Sequence, residues 1–305
     1  MNQDFLIIDT HVHTYPTIEI GRQALGPKGY GYSGTIAELK RVMQESSISY
    51  AVMANFTPIQ EMKEGQIAKL SAALKDEKRE EAVLDIDRKM VARMERRNRW
   101  TCEVAKENPS LLALMSIDTL QSADLILREV DDKVRVLGAK GIKLHPMANA
   151  FDPSDRRLWP LYTRARELEI PVLFHTGTHS RPGYESKYGY LGRFEEVAMT
   201  FPELKIILAH LGKGSYEESV RVAKRCHNIF FDTSTCFSAP GCSTDETGAK
   251  VWEVIKKIGS HRIMFGTDWP WYDPIKDIAI IKAMGLSDEE KAAILGFTAK
   301  NVFKI

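Results

Sequence analysis

The feature that most constrains this chain is a series of eight short apolar runs, at 5–9, 50–55, 111–118, 140–145, 170–176, 204–210, 229–234 and 262–268. They are rich in β-branched and aromatic residues and show little polar alternation, as expected of strands buried on both faces in a parallel sheet. The segments between them carry helical patterns. Residues 122–137 place Leu125, Val130, Val134 and Leu137 at near-helical spacing before Gly138 ends the helix. Strands alternating with helices from end to end predict an α/β fold, a (β/α)8 TIM barrel. An open doubly wound sheet competes, but no GxGxxG follows the first run. With no linker or repeat, residues 1–305 read as one barrel domain. Between runs two and three, the charged segment 60–108 reads as a helical insertion. It is expected to be a solvated excursion, or alternatively a cap over the barrel mouth.

Composition narrows the partners. Forty-two basic residues against 41 acidic ones leave a net charge of +1, which carries no nucleic-acid footprint. No run approaches the roughly 18 apolar residues of a membrane span. The start of the chain, MNQDFLIID, lacks the features of a signal peptide. Four scattered cysteines form no CxxC pair and no disulfide framework. The expectation is a cytoplasmic protein that handles a small molecule, without nucleic acid or membrane as partner.

In a barrel, side chains at the C-terminal ends of the strands converge on one mouth. Here those ends carry His11 and His13, Lys143 and His145, His175, His210, and Asp268. His11 and His13 stand two apart on an extended segment and so face the same side. Two imidazoles, a third from the fifth run and the Asp268 carboxylate suit a divalent ion, zinc first, with manganese or iron as alternatives. Lys143 and His145 share a facing in the same way. A lysine inside a barrel must be paired, deprotonated or converted to a carbamate. His210 is the general-base candidate, and Asp268 can both ligate and move a proton.

The motifs IDTHVH (8–13), GIKLHP (141–146), PVLFHTG (171–177), ILAHLG (207–212) and MFGTDWPW (264–271) together resemble the amidohydrolase superfamily. The nearest resemblance is to the amidohydrolase-related branch that includes aminocarboxymuconate-semialdehyde decarboxylase, resorcylate decarboxylases and oxalomesaconate hydratase. The closing stretch 286–305 resembles that branch too. The resemblance implies metal ligation by His11, His13, His175 and Asp268, with His210 as catalytic acid or base. It also implies one ion in preference to two, although Lys143, carbamylated, and His210 stand where a binuclear site would need them. TatD-type nucleases share part of the pattern but expect an acidic residue where this chain has Lys143 and His145. A homodimer is expected by the same analogy.

Around the mouth, Arg181 is placed to grip a carboxylate, and His179, Tyr15 and Trp269 are further substrate-binding candidates, with a flap over 21–34. The activity expected first is hydrolysis of an amide, ester or lactone of a small organic acid. The alternative is a metal-dependent non-oxidative decarboxylase acting on an aromatic or unsaturated carboxylic acid.

Overall fold

A computed structural model of the chain describes residues 5–26, 31–177, 184–237 and 244–305. Among them, eight parallel strands follow one another in chain order around a barrel. These are β1 (Ile8–Val12), β2 (Tyr50–Met53), β3 (Leu111–Ser116), β4 (Gly141–Leu144), β5 (Val172–Phe174), β6 (Ile206–Leu208), β7 (Ile229–Asp232) and β8 (Ile263–Met264). The TIM-barrel expectation holds, and all eight apolar runs supply strands.

Each strand divides its side chains between two surfaces, as a period of two requires. Val52, Leu112, Leu114, Leu173, Ile207 and Met264 pack with Ile8 in the barrel interior. Ala51, Met53, Ala113, Met115, Ile142, Val172, Phe174 and Ile206 face outward into the larger core shared with the helices. Ala299, Val302 and Phe303 of the C-terminal helix Thr298–Phe303 complete the interior cluster, beside Leu6 and Tyr50 at the starts of β1 and β2. The barrel floor is therefore apolar and plugged, which leaves polar groups to the opposite, C-terminal rim.

β1 carries the one irregularity that matters for the site. Asp9 pairs with Ala51 but Val12 with Met53, so β1 holds one residue more than its partner. Such a bulge switches the facing of everything beyond it. Ile8 faces the interior cluster, and His11, three residues on, also faces inward, toward Lys143 and Asp232. Without the extra residue, Thr10 would hold that place.

The ring closes where β1 meets the segment after β8. Thr10 N–H donates to the Phe265 carbonyl (2.9 Å), Asp268 N–H to that of His11 (2.8 Å) and His13 N–H to that of Trp269 (2.7 Å). A parallel bridge joins Val12 and Trp269.

The stretch between β2 and β3 holds a helix at Ile59–Ile67 and a 32-residue helix at Asp76–Glu107. The long helix spans roughly 48 Å at 1.5 Å per residue. Its buried residues, Met94, Asn98, Thr101, Cys102 and Val104, all lie in its second half. That half is tied to the rim: Asn98 donates to the Ser116 carbonyl (2.8 Å) and accepts from Ser116 N–H (2.9 Å). Lys63 of the shorter helix bridges Asp118, beyond β3, and Asp87 of the long helix (2.8 and 2.5 Å). Burial pulls the Lys63 ammonium down, but the two carboxylates outweigh it and hold its pKa above the ordinary value. The insertion is thus held to the rim by Lys63 of its short helix and by the second half of the long helix, whose first half is the excursion.

The expected helix at 122–137 is present as Ala123–Asp131, continued by a π-helical turn at Asp132–Val136. Its buried pair is Ile126 and Val130, four apart, whereas Leu125 is 44% exposed. No helix among the described residues is long and apolar enough to cross a membrane.

The C-terminal plug makes a direct prediction. Phe303→Ala should remove about 3–5 kcal/mol of stability. This would be read as a lower denaturant midpoint at unchanged slope; an unaltered midpoint would contradict the packing described.

Candidate metal centre

The donors come from separate strand ends brought together by the closing seam. His13 Nε2 lies 3.0 Å from Asp268 Oδ1, and His11 Nε2 lies 3.7 Å from the same oxygen. His11, His13 and Asp268 form a convergent group able to hold a metal ion. The His11 side chain is buried and Asp268 retains 17% of its side-chain exposure, so the group opens toward the mouth.

A second convergent group, His11, His210 and Asp232, lies behind the first. Asp232 Oδ2 meets His11 Nδ1 at 2.8 Å, and its Oδ1 accepts from His210 N–H (2.9 Å) and from the Ser234 hydroxyl. A carboxylate on Nδ1 fixes the proton there and leaves the Nε2 lone pair for an ion. Ser234 Oγ also reaches His210 Nδ1 (2.8 Å) and His11 Nδ1 (3.1 Å). Further support comes from Asp9, which accepts from Thr267 Oγ1 (2.6 Å) and from the N–H groups of Thr267 and His11 (both 3.1 Å).

Burial sets the charge states. It pushes His13 down to about 4 and His210 to about 3, so both imidazoles are neutral near neutral pH, as ligands must be. Burial alone would raise Asp268, but the His13 hydrogen bond and the surrounding imidazoles hold it well below the usual carboxylate range. Asp232 is held down in the same way, by His11 first. Asp9, with weaker support, is raised by burial to about 7.

Two of these residues have unusual backbones. His210 (φ 62°) and Asp268 (φ 67°) both adopt the left-handed conformation. This costs a non-glycine residue on the order of 1–3 kcal/mol and persists only where the surrounding structure enforces it.

The other expected residues fall as follows. Lys143 is buried inside the barrel with Nζ 3.1 Å from His11 Nε2, and burial lowers it to about 8. His145 stacks on His175 (centroids 3.9 Å, planes 8° apart), and its Nδ1 accepts from Ala148 N–H (3.2 Å). His175 belongs to neither convergent group; its Nδ1 faces His210 Nε2 at 2.9 Å. Tyr15 sits beside the Arg97 guanidinium of the long helix, and burial raises its phenol to about 12. Trp269 is fully buried in the closing seam, with its ring against Tyr32. The ring that meets the donors is instead Trp271, edge-on to His13 at 5.3 Å, because the chain beyond Asp268 turns Trp269 into the core. Arg181, His179 and part of the flap (27–30) lie outside the described residues.

Sequence reasoning missed Asp232, Ser234, Phe56, Asn55 and Arg97. Asp232 carried a signal, since the seventh run ends in Asp-Thr-Ser at the level where six of the other seven carry His or Asp. Phe56 faces both His145 (4.8 Å) and His13 (6.0 Å). Asn55 accepts from Thr14 N–H (2.8 Å) and donates to the hydroxyls of Thr14 and Thr101, fixing the chain just beyond His13.

Asp232→Asn should weaken binding of a divalent ion about 10–100-fold, because the amide no longer dictates the His11 tautomer. Titration of the metal-free protein with manganese would read this. Unchanged affinity would remove Asp232 from the centre.

The gamma-resorcylate decarboxylase of Polaromonas sp. (strain JS666 / ATCC BAA-500) is 22% identical over 253 residues, covering 69% of this chain and 76% of its own. The structure of 5-carboxyvanillate decarboxylase from Sphingomonas paucimobilis matches with a TM-score of 0.71 at 14% identity, over 99% of each chain. A dihydroxybenzoic acid decarboxylase from Polaromonas sp. JS666, with bound manganese and the inhibitor 2-nitroresorcinol, matches with a TM-score of 0.68 at 16% identity. That match covers 98% of this chain and 97% of the other. At these identities the two structures establish the shared barrel. The amidohydrolase family model matches residues 8–305, nearly the whole chain, and the protein therefore belongs to the amidohydrolase family.

Proposed function

We propose that the protein is a metal-dependent, non-oxidative decarboxylase of an aromatic carboxylic acid. The observation that carries this reading is the convergence of His11, His13 and Asp268 at the barrel mouth, with the aromatic rings of Phe56 and Trp271 packed edge-on against His13. The similarity to a gamma-resorcylate decarboxylase supports carbon–carbon cleavage over the hydrolysis placed first on sequence grounds. The donor set would serve either reaction.

The donors fit a divalent transition metal: two imidazoles, one ionised carboxylate, and a second carboxylate on His11 Nδ1. His175, stacked against His145 and bonded to His210 at the same rim, completes the proposed ligand set. A mixed nitrogen and oxygen set accepts zinc, manganese or iron, and manganese is the ion in the dihydroxybenzoic acid decarboxylase of Polaromonas. One ion is proposed rather than two. His11 Nδ1 is committed to Asp232, so the group around Asp232 acts as hydrogen-bonded support. When bound, the ion supplies a Lewis acid that polarises substrate oxygens.

The chain's own residues do the rest. Phe56 and Trp271 offer apolar surface for a flat ring. In the reaction the bond between ring carbon and carboxylate carbon breaks and neutral carbon dioxide leaves. Its electron pair forms a new C–H bond with one proton. His210 and Asp268 are the residues proposed to hold and move that proton.

The test loads the protein with manganese or zinc. It is then incubated with hydroxybenzoic acids and, separately, with lactones and amides. Carbon dioxide release from the acids is expected; acid release from the lactones or amides alone would restore hydrolysis. His11→Ala and Asp268→Ala should lose the ion. His210→Ala should keep it and lose at least about 100-fold in turnover. Equal metal loss in all three would make His210 a ligand.

A further inference from the structure

Ser116 Oγ is a buried hydroxyl with no hydrogen-bond partner among the described residues. The residue is only 2% exposed. Its backbone is held in place by Asn98 of the long helix, which bonds both the Ser116 carbonyl (2.8 Å) and the Ser116 N–H (2.9 Å). A dry, unbonded hydroxyl is costly and calls for a reason. Alternation along β3 gives its direction. Leu112 and Leu114 face the barrel interior while Ala113 and Met115 face outward, so Ser116 continues the inward row.

Its neighbour in the β3–β4 register is Lys143. Lys143 also points inward, between Ile142 and Leu144, which face the outer core. Paired positions on adjacent strands lie roughly 5 Å apart, well within the sweep of a flexible four-carbon side chain. Lys143 Nζ nevertheless reaches toward β1, where it lies 3.1 Å from His11 Nε2.

That contact falls on an atom with another use. Asp232 holds the His11 proton on Nδ1 (2.8 Å), so Nε2 carries the lone pair and Nζ donates to it. Nε2 is also the atom that faces Asp268 Oδ1 at 3.7 Å, in the group with His13 able to hold an ion. A metal–nitrogen bond is about 2 Å long, shorter than the 3.1 Å contact that Nζ keeps. One lone pair cannot serve both.

We propose that Lys143 competes with the divalent ion for His11, and that Ser116 Oγ receives Lys143 when the ion binds. The proposal rests on the metal-centre reading and is independent of the reaction catalysed. In the exchange the ion takes the His11 lone pair, Nζ donates to Ser116 Oγ, and the unbonded hydroxyl gains its partner. No covalent bond changes. Metal affinity is then set by a residue on β4 and one on β3, neither of which ligates the ion.

The experiment strips the protein of metal with a chelator and titrates manganese calorimetrically into wild type, Lys143→Met, Ser116→Ala and the double variant. Lys143→Met nearly keeps the volume and cannot occupy the lone pair, so it should bind manganese at least about tenfold more tightly. Ser116→Ala removes the second position while Lys143 still competes, and should bind about three- to tenfold more weakly. The double variant should match Lys143→Met, because the position has no occupant to receive. A merely structural role for Ser116 would not show that dependence. The proposal is overturned if Lys143→Met binds manganese equally or more weakly; the weaker result would make Lys143, as amine or carbamate, a ligand. It is also overturned if Ser116→Ala leaves affinity unchanged, or if its loss persists in full in the double variant. Ser116→Ala decides by itself if Lys143→Met does not fold. Wild-type protein that takes up no divalent ion rejects the metal centre, whereas ion uptake with both single variants at wild-type affinity rejects the competition alone.

Discussion

The site depends on a backbone seam. Three main-chain hydrogen bonds, from Thr10, Asp268 and His13, join β1 to the segment that follows β8. They bring residues more than 250 positions apart into register, and that register sets His13 Nε2 3.0 Å from Asp268 Oδ1. The donor geometry is therefore a by-product of closing the barrel. The bonds that complete the fold and the contacts that assemble the centre belong to the same few residues.

Two local distortions adapt a regular barrel to this purpose. The extra residue in β1 turns His11 inward after Ile8 has already taken an interior place. Left-handed backbones at His210 and Asp268 bend the chain sharply where β6 and β8 end, directing side chains that a continuing strand would send elsewhere. Both distortions carry a conformational cost, borne by the dense apolar packing below them. Asp232 adds a polar counterpart: one carboxylate binds a side chain on β1 and a main-chain N–H beyond β6, locking two histidines with respect to each other.

The strands were legible because each is buried on both faces and so reads as an apolar run whatever its neighbours are. His11, His13 and Asp268 were legible because ionisable residues at the ends of such runs have few other reasons to be there. Asp232 was harder to see, since a single aspartate ending a strand looks like an ordinary turn residue until its partners are known. Trp269 was misplaced for a different reason: spacing cannot tell which of two nearby tryptophans turns into the core and which faces the donors. Arg97 was hidden in a helix crowded with charges, where no local pattern separates a solvated arginine from one folded against the rim.

The long helix between β2 and β3 touches the rim with its second half only, while the donors sit on the strands and their immediate ends. This separates two inheritances within one chain. The strand ends are bound to one another by the closure of the barrel and have little freedom to vary. The helix can exchange side chains at its inner turns without disturbing that closure. Diversification of such a protein toward new molecules has its natural route through the insertion, with the floor of the centre left untouched.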